Sequence, residues 1–145
     1  MSGSLGHTPA EIIQQLLVDL SLGTIGGAWA IYENDLPDSP DNAILVSDTV
    51  GTKRGRTHFD GETQLQYGIT ITVRATTQTI GNAKANAIAT AFDSSVNRNT
   101  VVVDGMSYLV SAITLVNAAI SLGLDVSNSR RRLFSVNALT SLRAA

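Results

Sequence analysis

The chain has 145 residues, of which 43% are hydrophobic and 15% charged, with a formal net charge of −2 and no cysteine. This length and apolar content predict one globular domain, residues 1–145, and exclude a disordered chain, which combines low hydrophobicity with high net charge. The charge leaves no overall basic field to attract nucleic acid or a membrane, and the lack of cysteine excludes disulfides and thiolate metal sites. The N-terminus lacks the pattern of a signal peptide, and the apolar runs are too short for a membrane span.

The first predicted element is an amphipathic helix that follows a short flexible segment, residues 1–7. Thr8 is the expected N-cap, Pro9 occupies the first helical position, and Glu11 completes a capping box. Apolar residues then recur at helical spacing until Gly23 ends the helix. They are Ile12, Ile13, Leu16, Leu17 and Leu20.

Three strands are predicted next. The first covers residues 28–32 and the second residues 43–47, with a turn-rich loop between them. The third, residues 65–75, shows a regular alternation of apolar and polar residues, which is typical of a strand with one buried face. Between the second and third strands, residues 48–62 form a long polar excursion, and long connections in compact domains are usually functional or mobile.

A second helix is predicted over residues 80–94, because alanine is frequent there and favours helix. The expected apolar stripe consists of Ile80, Ala83, Ala87, Ile88, Ala91 and Phe92.

The last third of the chain is predicted to be mostly strand. Residues 100–103 and 106–117 flank Asp104-Gly105, a strong signal for a β-hairpin with a type I′ turn. A second turn-rich excursion covers residues 122–130, and a final strand covers residues 131–142. The expected fold is α+β, with two helices and a small, mostly antiparallel sheet in the order α-β-β-β-α-β-β-β.

No catalytic, cofactor-binding or metal site is predicted. His7 and His58 belong to no metal-binding motif, and the Gly-rich run around Lys53 lacks the spacing of a phosphate-binding loop. Asp35, Asp38 and other acids of the loop lack the pattern of a calcium site, so solvated turn acids are the simpler interpretation. An enzyme needs a convergent set of titratable groups, and the sequence offers none.

Two basic clusters are the remaining candidates for a functional site. Each contains three cations that can contact DNA phosphates, yet neither has interleaved aromatics or a groove-reading motif. The alternatives are a solvated loop, an ion pair across a subunit boundary, or the lining of a channel through which DNA passes without base readout. The clusters are Lys53, Arg54 and Arg56, and Arg130, Arg131 and Arg132.

Several short motifs follow one another between Ile12 and Leu142. In this order they resemble the tail terminator and minor capsid proteins that join head and tail in long-tailed bacteriophages. The motifs are Trp29 and Tyr32; residues 37–44 (PDSPDNAI); Asp48, Thr49 and Gly51; residues 71–75 (ITVRA) and the alanine-rich helix after them; residues 123–125 (GLD); and residues 132–137 (RLFSVN).

The resemblance implies a non-enzymatic virion protein, assembled in the host cytoplasm, that forms a homo-oligomeric ring at the head–tail junction. Such a hexameric ring caps the tail tube, ends its polymerisation and joins it to the head. The implied partners are further copies of the chain, the tail tube protein and the head connector or neck protein, with non-specific contact to passing DNA and none to a membrane.

A ring of identical subunits needs two different patches on each subunit. We expect one patch at the sheet edge with the excursion of residues 48–62. The second is expected on the outer face of the second helix near Lys84, or on residues 127–132. The basic clusters are therefore candidates for either the lumen or the interface.

Other functions remain open at this point. One alternative is a head-completion or neck adaptor protein, or another minor capsid protein, which would also be a structural protein of the virion. A small ligand-binding domain or enzyme would be indicated by a bound metal or cofactor. A sequence-specific DNA-binding protein would show salt-dependent binding to short duplexes.

Overall fold

The computed structural model describes residues 6–24, 29–34, 42–56, 63–94, 96, 98–116, 120–125 and 128–144. For residues 50–56, 63–66, 112, 123–125, 128–131 and 143–144 within these ranges it describes the backbone alone. In these ranges the chain forms two helices and seven strands. The architecture is α+β, as the sequence predicts.

The first helix, α1, covers Pro9–Asp19 and begins as predicted. The Thr8 hydroxyl accepts a hydrogen bond from the Glu11 N–H at 3.3 Å, and the Glu11 carboxylate reaches back to the Thr8 N–H at 3.5 Å. This capping box satisfies N–H groups that have no partner inside the helix. The C-cap is Leu20, so the helix ends before Gly23, where we had expected its end.

The strands form one layer with β7 near its centre. The order across the sheet is β1-β2-β3-β7-β5-β4, and β6 also pairs with β7. The pairs are antiparallel except β1 with β2, which run parallel. The strands are β1 (Ala30–Glu33), β2 (Ala43–Arg56), β3 (Thr63–Ala75), β4 (Asn99–Val103), β5 (Met106–Leu115), β6 (Ile120–Asp125) and β7 (Asn128–Ala144).

One face of the sheet carries the core. The register pairs Ile71 with Val136 and Val73 with Phe134, and all four side chains are at most 1% exposed. The apolar side of α1 packs on β1, β2, β3 and β4, while the second helix packs on β3, β5 and β7. Both helices therefore lie on the same face, and the opposite face carries neither.

The second helix, α2, covers Gln78–Ser94, close to the predicted bounds. Its buried residues are Gly81, Ala85, Ile88 and Phe92. The predicted stripe is therefore wrong in part, because Ile80, Ala83 and Ala87 are exposed. Gly81 faces the sheet so closely that an added Cβ would lie 2.7 Å from Cδ2 of Phe134.

The β4–β5 hairpin forms as predicted. Asp104 and Gly105 have φ values of 50° and 79°, the left-handed conformation that both central residues of a type I′ turn require. Val103 pairs with Met106 across the turn. A local sequence signal is enough here, because a two-residue turn fixes the register of its flanking strands.

Both predicted excursions contain strand. β2 continues to Arg56 instead of ending at residue 47, and it pairs with β3 down to Thr63. Residues 57–62 lie outside the described residues. The segment of residues 122–130 includes the end of β6 and the start of β7, which the sequence had not predicted as strands. The observed order is thus α-β-β-β-α-β-β-β-β, with one more strand than expected.

Candidate functional site

The predicted basic residues lie on strands. Lys53, Arg54 and Arg56 belong to the far end of β2, and Arg130 and Arg131 belong to the start of β7. The side chains of these five lie outside the described part of the structure. The half-buried Arg132 stands between Ala75 of β3 and Leu124 of β6.

The two basic clusters are far apart within one subunit. On β3, the first cluster is level with Leu65 and Thr63, whereas the second is level with Ala75 at the other end of the strand. A strand rises about 3.3 Å per residue, so roughly 30 Å separates the clusters along β3. They cannot form one site in a single copy of the chain.

Lys84, the third candidate, makes its contacts within the subunit. Its ammonium donates a hydrogen bond to the backbone carbonyl of Leu22 at 3.0 Å and lies 5.0 Å from the centre of the Trp29 ring. Partial burial lowers the pKa of Lys84 below its usual value. These contacts fasten α2 to the segment before β1, where Trp29 adopts a positive φ of 50°.

Neutral polar side chains lie on the exposed surface of α2 and on the helix-free face of the sheet. On α2 the exposed side chains around Ile80 include Asn82, Ala83 and Asn86. On the helix-free face of the sheet, Thr70 donates a hydrogen bond to Asn137 at 2.7 Å. Arg74, which pairs with Leu133, is a charged residue on that face and is only 3% exposed.

Three large apolar side chains are also exposed on the helix-free face. Val102 follows the buried Val101 on β4, Ile120 pairs with Ser135, and Val116 lies opposite Asn137, whose carbonyl accepts its N–H. They are 53%, 44% and 62% exposed. Val116 and Ile120 are neighbours opposite Asn137 and Ser135 of β7, whereas Val102 lies opposite Ser107 at the other end of β5, so the three side chains do not form one patch.

His7 contacts the β4–β5 hairpin, although the sequence predicts a flexible segment over residues 1–7. Its Nδ1 lies 2.6 Å from the hydroxyl of the buried Tyr108, and its Nε2 lies 3.3 Å from the Asp104 carboxylate. The two rings meet edge to face at 5.6 Å. These contacts join the segment before α1 to the β4–β5 turn.

Asp48 connects three elements of the fold. The sequence analysis named Asp48 only as part of a motif and did not predict this structural role. Its carboxylate accepts from the Ala10 N–H at 2.9 Å, in the first turn of α1, and from the Asn34 side-chain amide at 3.2 Å. The Asp48 N–H donates back to the Asn34 side-chain oxygen at 3.1 Å. A carboxylate at a helix N-terminus is stabilised by the helix dipole, so Asp48 joins α1, β1 and β2.

We expect Asp48→Ala to lower the free energy of unfolding by about 1–2 kcal/mol, because two donors lose their acceptor and α1 loses a capping charge. Urea denaturation followed by circular dichroism measures this. The exposed Asp93 on α2 is the matched control, and Asp93→Ala is expected to change stability by no more than about 0.5 kcal/mol. Equal effects of the two substitutions would contradict the assigned role of Asp48.

The described residues contain no group of three potential metal ligands. Asp35, Asp38, Asp41 and His58, weighed as ligands from the sequence, lie outside the described ranges. Neither of the two described helices has the length and apolar character needed to cross a membrane.

Comparison with known proteins adds a similarity at the level of fold. No protein-family model matches the sequence, and no curated protein matches it. Among solved structures, a chain in the virion of a native gene transfer agent particle superposes with a TM-score of 0.50 at 16% identity, covering 92% of each chain. The two chains share a fold. Because the similarity covers nearly the whole chain, it concerns the architecture described above and not one motif of it.

Proposed function

We propose that this chain is a structural, non-enzymatic protein of a phage-type virion. The fold shared with a chain of a gene transfer agent virion, over 92% of both chains, is the observation that carries this proposal. The surface supports it as well. Val116 and Ile120, two exposed apolar neighbours beside β7, are suited to contact with other protein, which a virion provides.

Within the virion, we place the protein in a ring at the head–tail junction that caps the tail tube, ends its polymerisation and joins it to the head. The resemblance of the sequence motifs to tail terminators supports this position, and six is the ring size that the resemblance implies. Two of the motif residues have structural roles in this chain. Asp48 anchors α1, and Phe134 lies in the core below α2.

Electron microscopy of phage lysates tests the position. A stop codon early in the gene is expected to give overlong, headless tails beside filled heads, because only loss of the cap allows the tube to keep growing. Supplying the intact gene from a plasmid is the control and is expected to restore normal particles. Tails of normal length beside unattached heads would instead assign the protein to the head side of the joint, as a completion or neck adaptor protein.

A further inference from the structure

The two edges of the sheet differ in character, and the edge at β1 is closed by contacts within the subunit. Thr24 bonds along the outer side of β1, where its N–H donates to the Trp29 carbonyl at 3.3 Å and its carbonyl accepts from the Ile31 N–H at 2.9 Å. The Ile31 carbonyl accepts from the side-chain amide of Gln14 on α1 at 2.7 Å. These backbone groups are therefore not available to a further strand, and covering an edge in this way prevents its pairing with another chain.

The opposite edge of the sheet is stepped. β4 is the last strand on that side, and it covers only the first half of β5, from Met106 to Val110. Farther along, β5 and then β6 bond to β7 on their inner side, and no described strand covers their outer side. This uncovered stretch is level with Ser141 to Arg132 of β7, which are ten residues. Ten residues of strand span roughly 30 Å, so a strand as short as β4 fits beside them.

The stepped edge is apolar and lacks the charges that protect an exposed strand. Of the six large apolar side chains that are exposed in the described part of the chain, five lie on β4, β5 or β6 or directly follow β5, and Ile80 on α2 is the sixth. The sequence has no charged residue in β4 or from residue 106 to residue 124. Native proteins commonly place charged side chains, especially lysine, on an open edge to prevent pairing. This edge therefore has the character of an interface with another polypeptide.

The apolar side chains lie at opposite ends of this edge, and this arrangement indicates the partner. Val102 is on β4 opposite Ser107, whereas Val116 and Ile120 lie beside β7 at the uncovered end. A two-fold rotation about an axis perpendicular to the sheet exchanges the two ends of the edge and keeps the helix-free face on the same side. A second copy in this orientation places its β4 beside β6 of the first copy, and its own β6 receives β4 of the first.

We infer that two copies of this chain associate through this edge, with β4 of each copy paired to the uncovered side of β5 and β6 of the other. The two sheets then form one continuous sheet. β4 runs antiparallel to β5 within a subunit, so after the rotation it runs parallel to β5 and β6 of the other copy. Val102 of each copy packs beside Val116 and Ile120 of the other, and the exposed apolar side chains cover one another at two equivalent places.

This contact is different from the contact that closes the proposed ring. A two-fold interface uses the same patch on both copies, whereas a cyclic ring of more than two subunits uses two different patches on each copy. The inference therefore does not depend on the ring. A subunit that makes both contacts would join two rings to each other through their β4–β6 edges.

Cross-linking tests the geometry of the contact, because the chain contains no cysteine of its own. In the variant with Val102→Cys and Ile120→Cys, the two thiols of one copy are about ten residues apart along the sheet, or roughly 30 Å, too far for a short bifunctional maleimide to link. The expected product is a covalent dimer that carries two cross-links. Each single-cysteine variant alone is expected to stay uncoupled, and an equal mixture of the two is expected to give a dimer with one cross-link. A ladder of larger covalent oligomers would overturn the two-fold arrangement, because it requires a head-to-tail contact.

Sedimentation velocity tests the apolar contribution with a matched pair of substitutions. Ile120→Lys introduces a charge at both equivalent places of the dimer, and the dissociation constant is expected to rise roughly a hundredfold. Ile80→Lys is the control, because Ile80 is equally exposed, at 43% against 44%, and lies on α2 away from the edge. It is expected to associate like the wild type, and circular dichroism checks that both variants are folded. Equal weakening by both substitutions, or a wild-type chain that stays monomeric at every concentration tested, would overturn the inference. Neither result would contradict the proposed position in the virion, which the microscopy of lysates tests separately.

Discussion

The substitution Phe134→Ala is expected to lower the free energy of unfolding by about 3–5 kcal/mol, the range found when a buried aromatic side chain is removed. Phe134 is 1% exposed and lies on the core face of β7, paired with Val73. Its ring contacts α2 where Gly81 brings the helix close to the sheet. The substitution therefore leaves a cavity between the two layers, which chemical denaturation monitored by circular dichroism measures.

Leu133 is the matched control, because it is the neighbouring residue on the same strand and points to the helix-free face. It is half-buried, so Leu133→Ala removes less contact and is expected to cost clearly less. Should the two substitutions cost the same, α2 would not be seated on the face that carries Phe134.

The substitution Gly81→Ala is expected to destabilise the protein by about 1–3 kcal/mol, although alanine is the better helix former by about 1 kcal/mol. The added methyl group would lie 2.7 Å from Cδ2 of Phe134 and 3.2 Å from Cβ of Ala75, so the helix or the ring has to move. Asn82→Ala, at the next and exposed position, measures the helix-forming gain alone. Thermal unfolding distinguishes the two, since the transition temperatures shift in opposite directions.

A double-mutant cycle shows whether the effect comes from the ring. In a Phe134→Leu background the methyl group of Gly81→Ala meets a smaller side chain, and its cost is expected to disappear. Residues in direct contact show interaction energies of about 0.5–3 kcal/mol in such cycles. Additive effects would mean that Gly81 is required for some other reason than the approach of helix and sheet.

The elements predicted most accurately from the sequence are those that a few neighbouring residues determine. The capping box of Thr8 and Glu11 locates the start of α1 because its two partners are only three positions apart. Asp104-Gly105 predicts its turn because two residues supply both positive φ angles. The parallel pairing of β1 with β2 has no such signal, because the four residues of β1 do not specify the direction of their partner strand.

Which side of α2 is buried, and whether β6 forms, depend on contacts between residues that are distant in sequence. In α2, alanines surround the helix, so hydrophobic spacing alone does not show which side is buried, and Gly81 does not count as apolar at all. In β6, glycine and aspartate resemble a turn. Pairing with β7 provides the strand partner that the local sequence cannot supply.

The geometry of the candidate site also depends on contacts between residues that are distant in sequence. Composition identified the basic residues at the far end of β2, but their separation from the second cluster follows only from the register on β3. Lys84 looked like a surface cation, yet its long stem carries the ammonium to the Leu22 carbonyl and the Trp29 ring. His7 was assigned to a flexible segment because its partner, Tyr108, lies far along the chain.

Because β7 lies near the centre of the sheet, the chain can complete its fold only late in synthesis. β3, β5 and β6 all bond to β7, yet the ribosome synthesises all three before it. Pairs as distant as Ile71 with Val136 make folding slow, since a long loop has to close before any contact repays its entropy. The nascent chain therefore holds unpaired strand edges until β7 emerges, and the sheet is complete only after β7 has docked.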